Sequence, residues 1–143
     1  MGQMPKIASS TYHAYIELTK PNITFLILVS TALGYYLGGN GVIEFNRLFI
    51  TLAGTCLVSS GAGALNHVVE KDSDWLMERT NKRPLPAGLI DSKNAKLFGL
   101  VLIFLGAGIL YHFINPLTSV LAFSTVILYI FVYTPLKKIT WLN

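Results

Sequence analysis

The amino-acid sequence predicts an all-α membrane protein with four transmembrane helices, folded as a single transmembrane domain over residues 1–143. Three observations predict it. Hydrophobic residues make up 52% of the chain and charged residues 13%, where soluble domains carry about 25% charged. The apolar residues gather in four long runs, about 22–39, 48–69, 97–114 and 117–134, each close to the length that crosses a bilayer. The basic residues favour one side: two in the N-terminal segment, one in the first loop (Arg47), six in the second, none in the third and two in the C-terminal segment. With both termini inside, ten of the eleven are cytoplasmic, as the positive-inside rule requires.

Each element has its own signal. Residues 1–20 are polar and contain TYHAYIELTK, which predicts a short interfacial helix with His13 as an interfacial residue rather than a ligand. Pro21 suits the first turn of the helix that follows. In the first span, Gly34 and Gly38 form a small-xxx-small pair that predicts close helix packing. The turn GGNGVIEFNR leads to the second span, whose end, SSGAGALN, strings together small residues that let a neighbour approach. Cys56, the single cysteine, excludes an internal disulfide and reads as a packing residue. His112, at the far end of the third span, reads as a headgroup residue. Asn115 and Pro116 leave room only for an antiparallel hairpin into the fourth span. That span ends in YTPLKK, with Tyr133 at the interface as an aromatic anchor.

The net charge is +4, but the basic residues lie in loops between spans, so the surroundings are membrane lipid and the reading includes no nucleic acid. The N-terminal segment shows neither a transit peptide nor a cleavable signal. That favours a bacterial cytoplasmic (inner) membrane.

The chemistry concentrates in residues 66–88, NHVVEKDSDWLMERTNKRPLPAG; residues 70–96 hold 11 of the 18 charged residues. If the second helix continues inward past Val69, Asn66, Glu70 and Asp74 recur every four residues and share one face within about 80°. They spread over roughly 12 Å at about 1.5 Å per residue, too far for one ion but suited to a diphosphate with magnesium. Magnesium takes one or two carboxylates plus phosphate oxygens, which makes Glu70 and Asp74 its candidate ligands. Asp72 falls on another face and reads as solvated. Arg79, Lys82 and Arg83 follow in a loop, with the helix stopped by Pro84 and Pro86, and guanidinium groups suit phosphate oxygens. The competing reading is a basic cytoplasmic loop that only obeys the charge rule.

This stretch resembles the first aspartate-rich motif of the UbiA family of membrane prenyltransferases, an Asn, an acid and an Asp at four-residue spacing. LMERTNKRPLPAG is more similar to the heme O synthase branch than to others, and ELTKPNITFL and YTPLKKITWLN agree with it. Glu70 stands where many relatives carry Asp, which keeps the charge and adds one methylene. The resemblance implies prenyl transfer from farnesyl diphosphate to the vinyl group of protoheme IX, with Mg2+ on Glu70 and Asp74 and with Asn66 orienting a phosphate oxygen or a metal-bound water. It further implies that Arg79, Lys82 and Arg83 hold the diphosphate and that Tyr133 and Lys137 line the substrate cavity.

The family places a second acidic motif on a later helix pair, in a fold of about nine spans. The last acid here is Asp91, so residues 92–143 supply none. The resemblance therefore covers the N-terminal part of such an enzyme and implies a missing C-terminal half, with activity belonging to the parent protein. Two other readings stay open. One is an aromatic prenyltransferase of quinone synthesis with the same diphosphate site; the other is a non-catalytic four-helix membrane module.

Overall fold

The computed structural model describes residues 7–81 and 83–139, and for residues 7–11 and 137–139 the backbone alone. A short helix α1 (Ile7–Leu18) precedes α2 (Pro21–Gly38). Lys20, between them, takes a left-handed backbone (φ 50°), which ends α1 and turns the chain into Pro21. That proline sits in the first turn of α2, where its missing N–H costs nothing. Helix α3 (Phe45–Trp75) follows, then α4 (Ser92–Ile109), which ends in a wide π turn over Leu110–Ile114. Asn115 alone separates that turn from α5 (Pro116–Leu128). Its side-chain oxygen accepts from the Thr118 N–H at 2.7 Å and so caps the new helix. A second π turn, Tyr129–Tyr133, joins α5 to α6 (Thr134–Ile139). No strand occurs among the described residues.

Four helical stretches are long and apolar enough to cross a membrane: Pro21–Gly38, Phe45–Trp75, Ser92–Ile114 and Pro116–Leu136. The exposed surface is correspondingly rich in large apolar side chains, among them Phe25, Leu33, Phe49, Phe104 and Leu121, which lipid rather than water must cover. Helix α3 is the central element and packs against α1, α2, α4 and α5. At 31 residues it is roughly 46 Å long at about 1.5 Å per residue. A bilayer core is about 30 Å thick, so the charged end of α3 projects beyond the hydrocarbon edge.

The closest packing joins α3 to α4. A Cβ on Gly61 would stand 2.5 Å from the Gly99 carbonyl oxygen, and one on Gly106 would stand 2.6 Å from the Gly54 carbonyl oxygen. Only hydrogen fits at these crossings. The small residues before Asn66 therefore act as their sequence suggests, with Gly63 also meeting the Leu18 carbonyl at the end of α1. The first-span pair does not: Gly34 and Gly38 have nothing within 4 Å of a Cβ. Helix α2 leans on α3 through Thr24, its one buried residue, whose hydroxyl lies 3.2 Å from that of Ser59.

Candidate functional site

Helix α3 continues past the apolar run, as the four-residue spacing requires, and ends at Trp75. Asn66, Glu70 and Asp74 are all buried, at 2%, 4% and 4% exposure, whereas Asp72 between them is exposed. The prolines do not stop the helix. It ends well before them because the Asp74 carbonyl is taken by the Thr80 hydroxyl at 2.9 Å and the Met77 N–H at 3.3 Å. Pro84, Leu85 and Pro86 instead fold back as the buried floor of the 76–91 loop. Leu85 packs with Ala14 and Leu18 of α1, Ala64 of α3 and Ala95 of α4. This apolar cluster fixes the loop against the end of the bundle.

The fold of the loop brings Arg83 onto the acidic face. Its Nη1 donates to Asp74 Oδ2 at 3.0 Å and Oδ1 at 3.2 Å, and lies 3.8 Å from Glu70 Oε2. Two carboxylates this deeply buried need such a partner, since each charge taken out of water costs several kcal/mol unless it is compensated. Arg79 stands exposed on the loop, and Lys82 and the side chain of Lys137 lie outside the described residues. Of the three basic residues expected at the diphosphate, Arg83 is the one that the described structure places on the carboxylates.

Asn66 is held at both ends of its amide. Nδ2 donates to Glu70 Oε2 at 2.9 Å, and Oδ1 lies 2.8 Å from the hydroxyl of Thr134, itself only 1% exposed. A carboxylate accepts and never donates, so the amide must turn its NH2 toward Glu70. The resulting chain runs from Thr134 through Asn66 to Glu70, then through Arg83 to Asp74. Next to Asn66, the buried His67 leaves Nδ1 without a hydrogen-bond partner, close to Lys20, Arg83 and Glu70. An orphaned buried atom of this kind calls for an explanation, and a ligand at the site supplies one.

A cavity of about 340 Å³ lies between α2, α3 and α5, one turn along α3 from Asn66. Its walls are mainly apolar, with Ile27, Val58, Ala62 and Val126 among them, and Lys20 and Tyr129 contribute polar groups. Lys20 Nζ donates to the Tyr129 hydroxyl at 3.4 Å. Tyr133 is half-exposed and stacks on Tyr129, with ring centroids 5.6 Å apart; it is Tyr129, not Tyr133, that borders the cavity. Sequence reasoning missed Thr134, Tyr129, Thr80 and the site role of Lys20. The signal for Thr134 was its place before Pro135, where a helix must loosen. Lys20 and Tyr129 carried none beyond ELTKPNITFL and the YTPLKK neighbourhood.

The donor set on α3 is hard oxygen: two carboxylates and an amide. Among the described residues no group of three or more His, Cys, Asp and Glu could enclose a metal ion. The residues therefore fit magnesium arriving with phosphate oxygens, which keeps few protein ligands, and do not fit a cage made by the protein alone. His13 and His112 are exposed and belong to no such group.

A membrane helix bundle whose central helix ends in a buried amide and two carboxylates, with an arginine from the next loop across them, defines a multi-pass membrane protein. The chain belongs to the UbiA prenyltransferase family, whose model matches residues 27–143. It is 40% identical over 123 residues to a protoheme IX farnesyltransferase of Trichodesmium erythraeum, covering 86% of this chain and 38% of that protein. A protein of the same name from Leptospira biflexa is 42% identical over 123 residues, covering 86% of this chain and 43% of the relative. Another from Solibacter usitatus is 42% identical over 136 residues, covering 89% and 47%. The chain thus spans less than half the length of these curated relatives. No solved structure matches it significantly.

Proposed function

We propose that the whole protein, to which this chain contributes the first acidic cluster, transfers the prenyl group of farnesyl diphosphate to the vinyl group of protoheme IX and so forms heme O. The observation that carries this reading is the single buried face of Asn66, Glu70 and Asp74 with Arg83 across it. The names printed for the relatives support the choice of donor and acceptor. Glu70 and Asp74 would hold Mg2+ together with phosphate oxygens. When bound, the ion supplies Lewis-acid stabilisation of the charge that builds on the leaving diphosphate.

The chain's own residues do the rest. Asn66 holds Glu70 in one orientation. Arg83, whose Nη1 is shared between the two Asp74 oxygens, would be the guanidinium nearest to an arriving phosphate and would exchange its carboxylates for phosphate oxygens. Arg79, Lys82 and Lys137 add positive charge around the diphosphate and the cavity mouth. The prenyl chain would rest in the apolar cavity between α2, α3 and α5, where water is excluded as the allylic C–O bond breaks. Donor and acceptor would enter from the lipid of a bacterial inner membrane, with both termini and the 76–91 loop in the cytoplasm.

The test is to express the natural gene in cells unable to make heme O and to analyse extracted hemes by mass spectrometry. The expected product is a farnesylated heme that disappears with Glu70→Gln. A prenylated aromatic acid in its place would move the reading to the quinone branch, and no prenylated product would overturn it.

A further inference from the structure

We propose that Thr134 is a positioning residue of the diphosphate site: its hydroxyl anchors the Asn66 amide so that the NH2 group faces Glu70. The inference rests on reading the acidic face as a metal–diphosphate site. Thr134 touches neither carboxylate and acts only through Asn66.

The geometry leaves the hydroxyl little choice. Thr134 Oγ1 has two acceptors at 2.8 Å, Asn66 Oδ1 and the Tyr129 carbonyl, but one proton to give. The Tyr129 carbonyl already receives the backbone N–H of Thr134, which closes the π turn. Glu70 as a carboxylate accepts only, so the amide that offers NH2 to Glu70 must offer its oxygen to Thr134, and the hydroxyl proton goes to Asn66. The direction is set from the Glu70 end, and Thr134 holds the other end of the amide in that orientation.

Backbone chemistry brings Thr134 to this point. Pro135 has no N–H to give to the preceding turn, and the helix widens into a π turn directly before it, a distortion frequent at functional sites. The wide turn carries Thr134 across to α3, a contact between residues 68 positions apart. Without the hydroxyl, the buried amide oxygen has no donor. The amide is then held at its NH2 end alone, and Glu70 loses a fixed donor. Misplacing Glu70 weakens whatever the carboxylates bind, and loss of such an outer partner of a metal ligand typically costs roughly tenfold to a hundredfold in metal affinity.

The experiment uses the whole protein, purified in detergent, with Thr134→Val, which keeps the shape, and Thr134→Ser, which keeps the hydroxyl. Two quantities are read. The first is the side-chain amide signal of Asn66 in asparagine-labelled protein, identified by its loss in Asn66→Ala; it needs no ligand. The second is magnesium-dependent binding of inorganic pyrophosphate. Thr134→Val should shift the Asn66 signal and weaken pyrophosphate binding roughly tenfold or more, and Thr134→Ser should restore both. An Asn66 signal unmoved by Thr134→Val overturns the proposal, as does a serine variant as damaged as the valine one. If the wild-type whole protein binds no pyrophosphate while the amide signal responds as stated, the positioning role stands and the diphosphate reading fails.

Discussion

Glu70 and Asp74 bury two carboxylates side by side, with the Arg83 guanidinium hydrogen-bonded to Asp74 and 3.8 Å from Glu70. If the proposed magnesium sits on them, Glu70→Gln or Asp74→Asn keeps the shape and removes a ligand. Several kcal/mol of leaving-group stabilisation would be at stake, and each 1.36 kcal/mol is about tenfold in rate. In the whole protein, heme O formation should then fall on the order of a thousandfold for each at matched expression. Asp72→Asn, on the exposed face, should stay within about threefold of wild type, since a solvated charge is worth about 0–1 kcal/mol. Equal damage from all three would refute the helical-face assignment. Arg83 makes a different prediction. Arg83→Gln takes the guanidinium away from the two buried carboxylates, and the chain should lose about 1–3 kcal/mol, less than for a fully buried pair because Arg83 is 31% exposed. Millimolar magnesium should return much of that loss by replacing the missing positive charge, which thermal unfolding in detergent with and without the ion would register. A deficit indifferent to magnesium would count against a metal on Glu70 and Asp74. The acidic face was legible because helical periodicity alone puts three polar residues together. Thr134 was not, since its partner lies in a distant helix and only the fold shows which turn of the fourth span meets Asn66.

At the scale of elements, the small residues of α2 and of α3 both read as close-packing positions, and packing separates them. Gly61→Ala would put a Cβ 2.5 Å from the Gly99 carbonyl oxygen and 2.6 Å from Ile103 Cγ1. Backbone cannot yield as a flexible side chain does, so α3 and α4 would have to part, at a cost of about 1–3 kcal/mol. Gly34→Ala meets nothing within 4 Å, and exchanging a mid-helix glycine for alanine should leave stability unchanged or raise it by up to about 1 kcal/mol. Denaturant unfolding of the two variants in the same detergent would compare them directly, and a Gly61→Ala protein as stable as wild type would show that the two helices are not locked at that crossing. The sequence reveals which residues are small but not which neighbour they meet. The prolines carry a similar lesson. Pro84 and Pro86 were legible as helix breakers, yet the helix ends earlier, where Thr80 and Met77 capture the Asp74 carbonyl, and the prolines form the floor that holds Arg83 in place. A capture of this kind depends on the path of the loop, which no local propensity encodes.

For the whole molecule, the four spans and the Asn115 hairpin follow from run length and from the capping of Pro116, and they needed no tertiary knowledge. Orientation is a separate matter, and it is decided by charge. The end of the bundle that holds the 76–91 loop also holds the start of α4 and the corner at Lys20, and among the described residues it gathers every lysine and arginine side chain but Arg47. The opposite end has Arg47, paired to Glu44 at 4.0 Å, and the Asn115 turn. A basic side chain resists transfer across the membrane, so the crowded end should be cytoplasmic. In that orientation the projecting end of α3 would lie on the cytoplasmic side, where the proposed magnesium and diphosphate are available. Cys56 is changed to Ser to clear the background, and single cysteines are placed at exposed positions on the two ends. Val42→Cys should react with a membrane-impermeant maleimide in intact cells. Ala87→Cys, on the site loop, should react only after the membrane is permeabilised. Labelling of Ala87→Cys from outside, with Val42→Cys protected, would invert the protein in the membrane and move the acidic site to the wrong face for a cytoplasmic diphosphate.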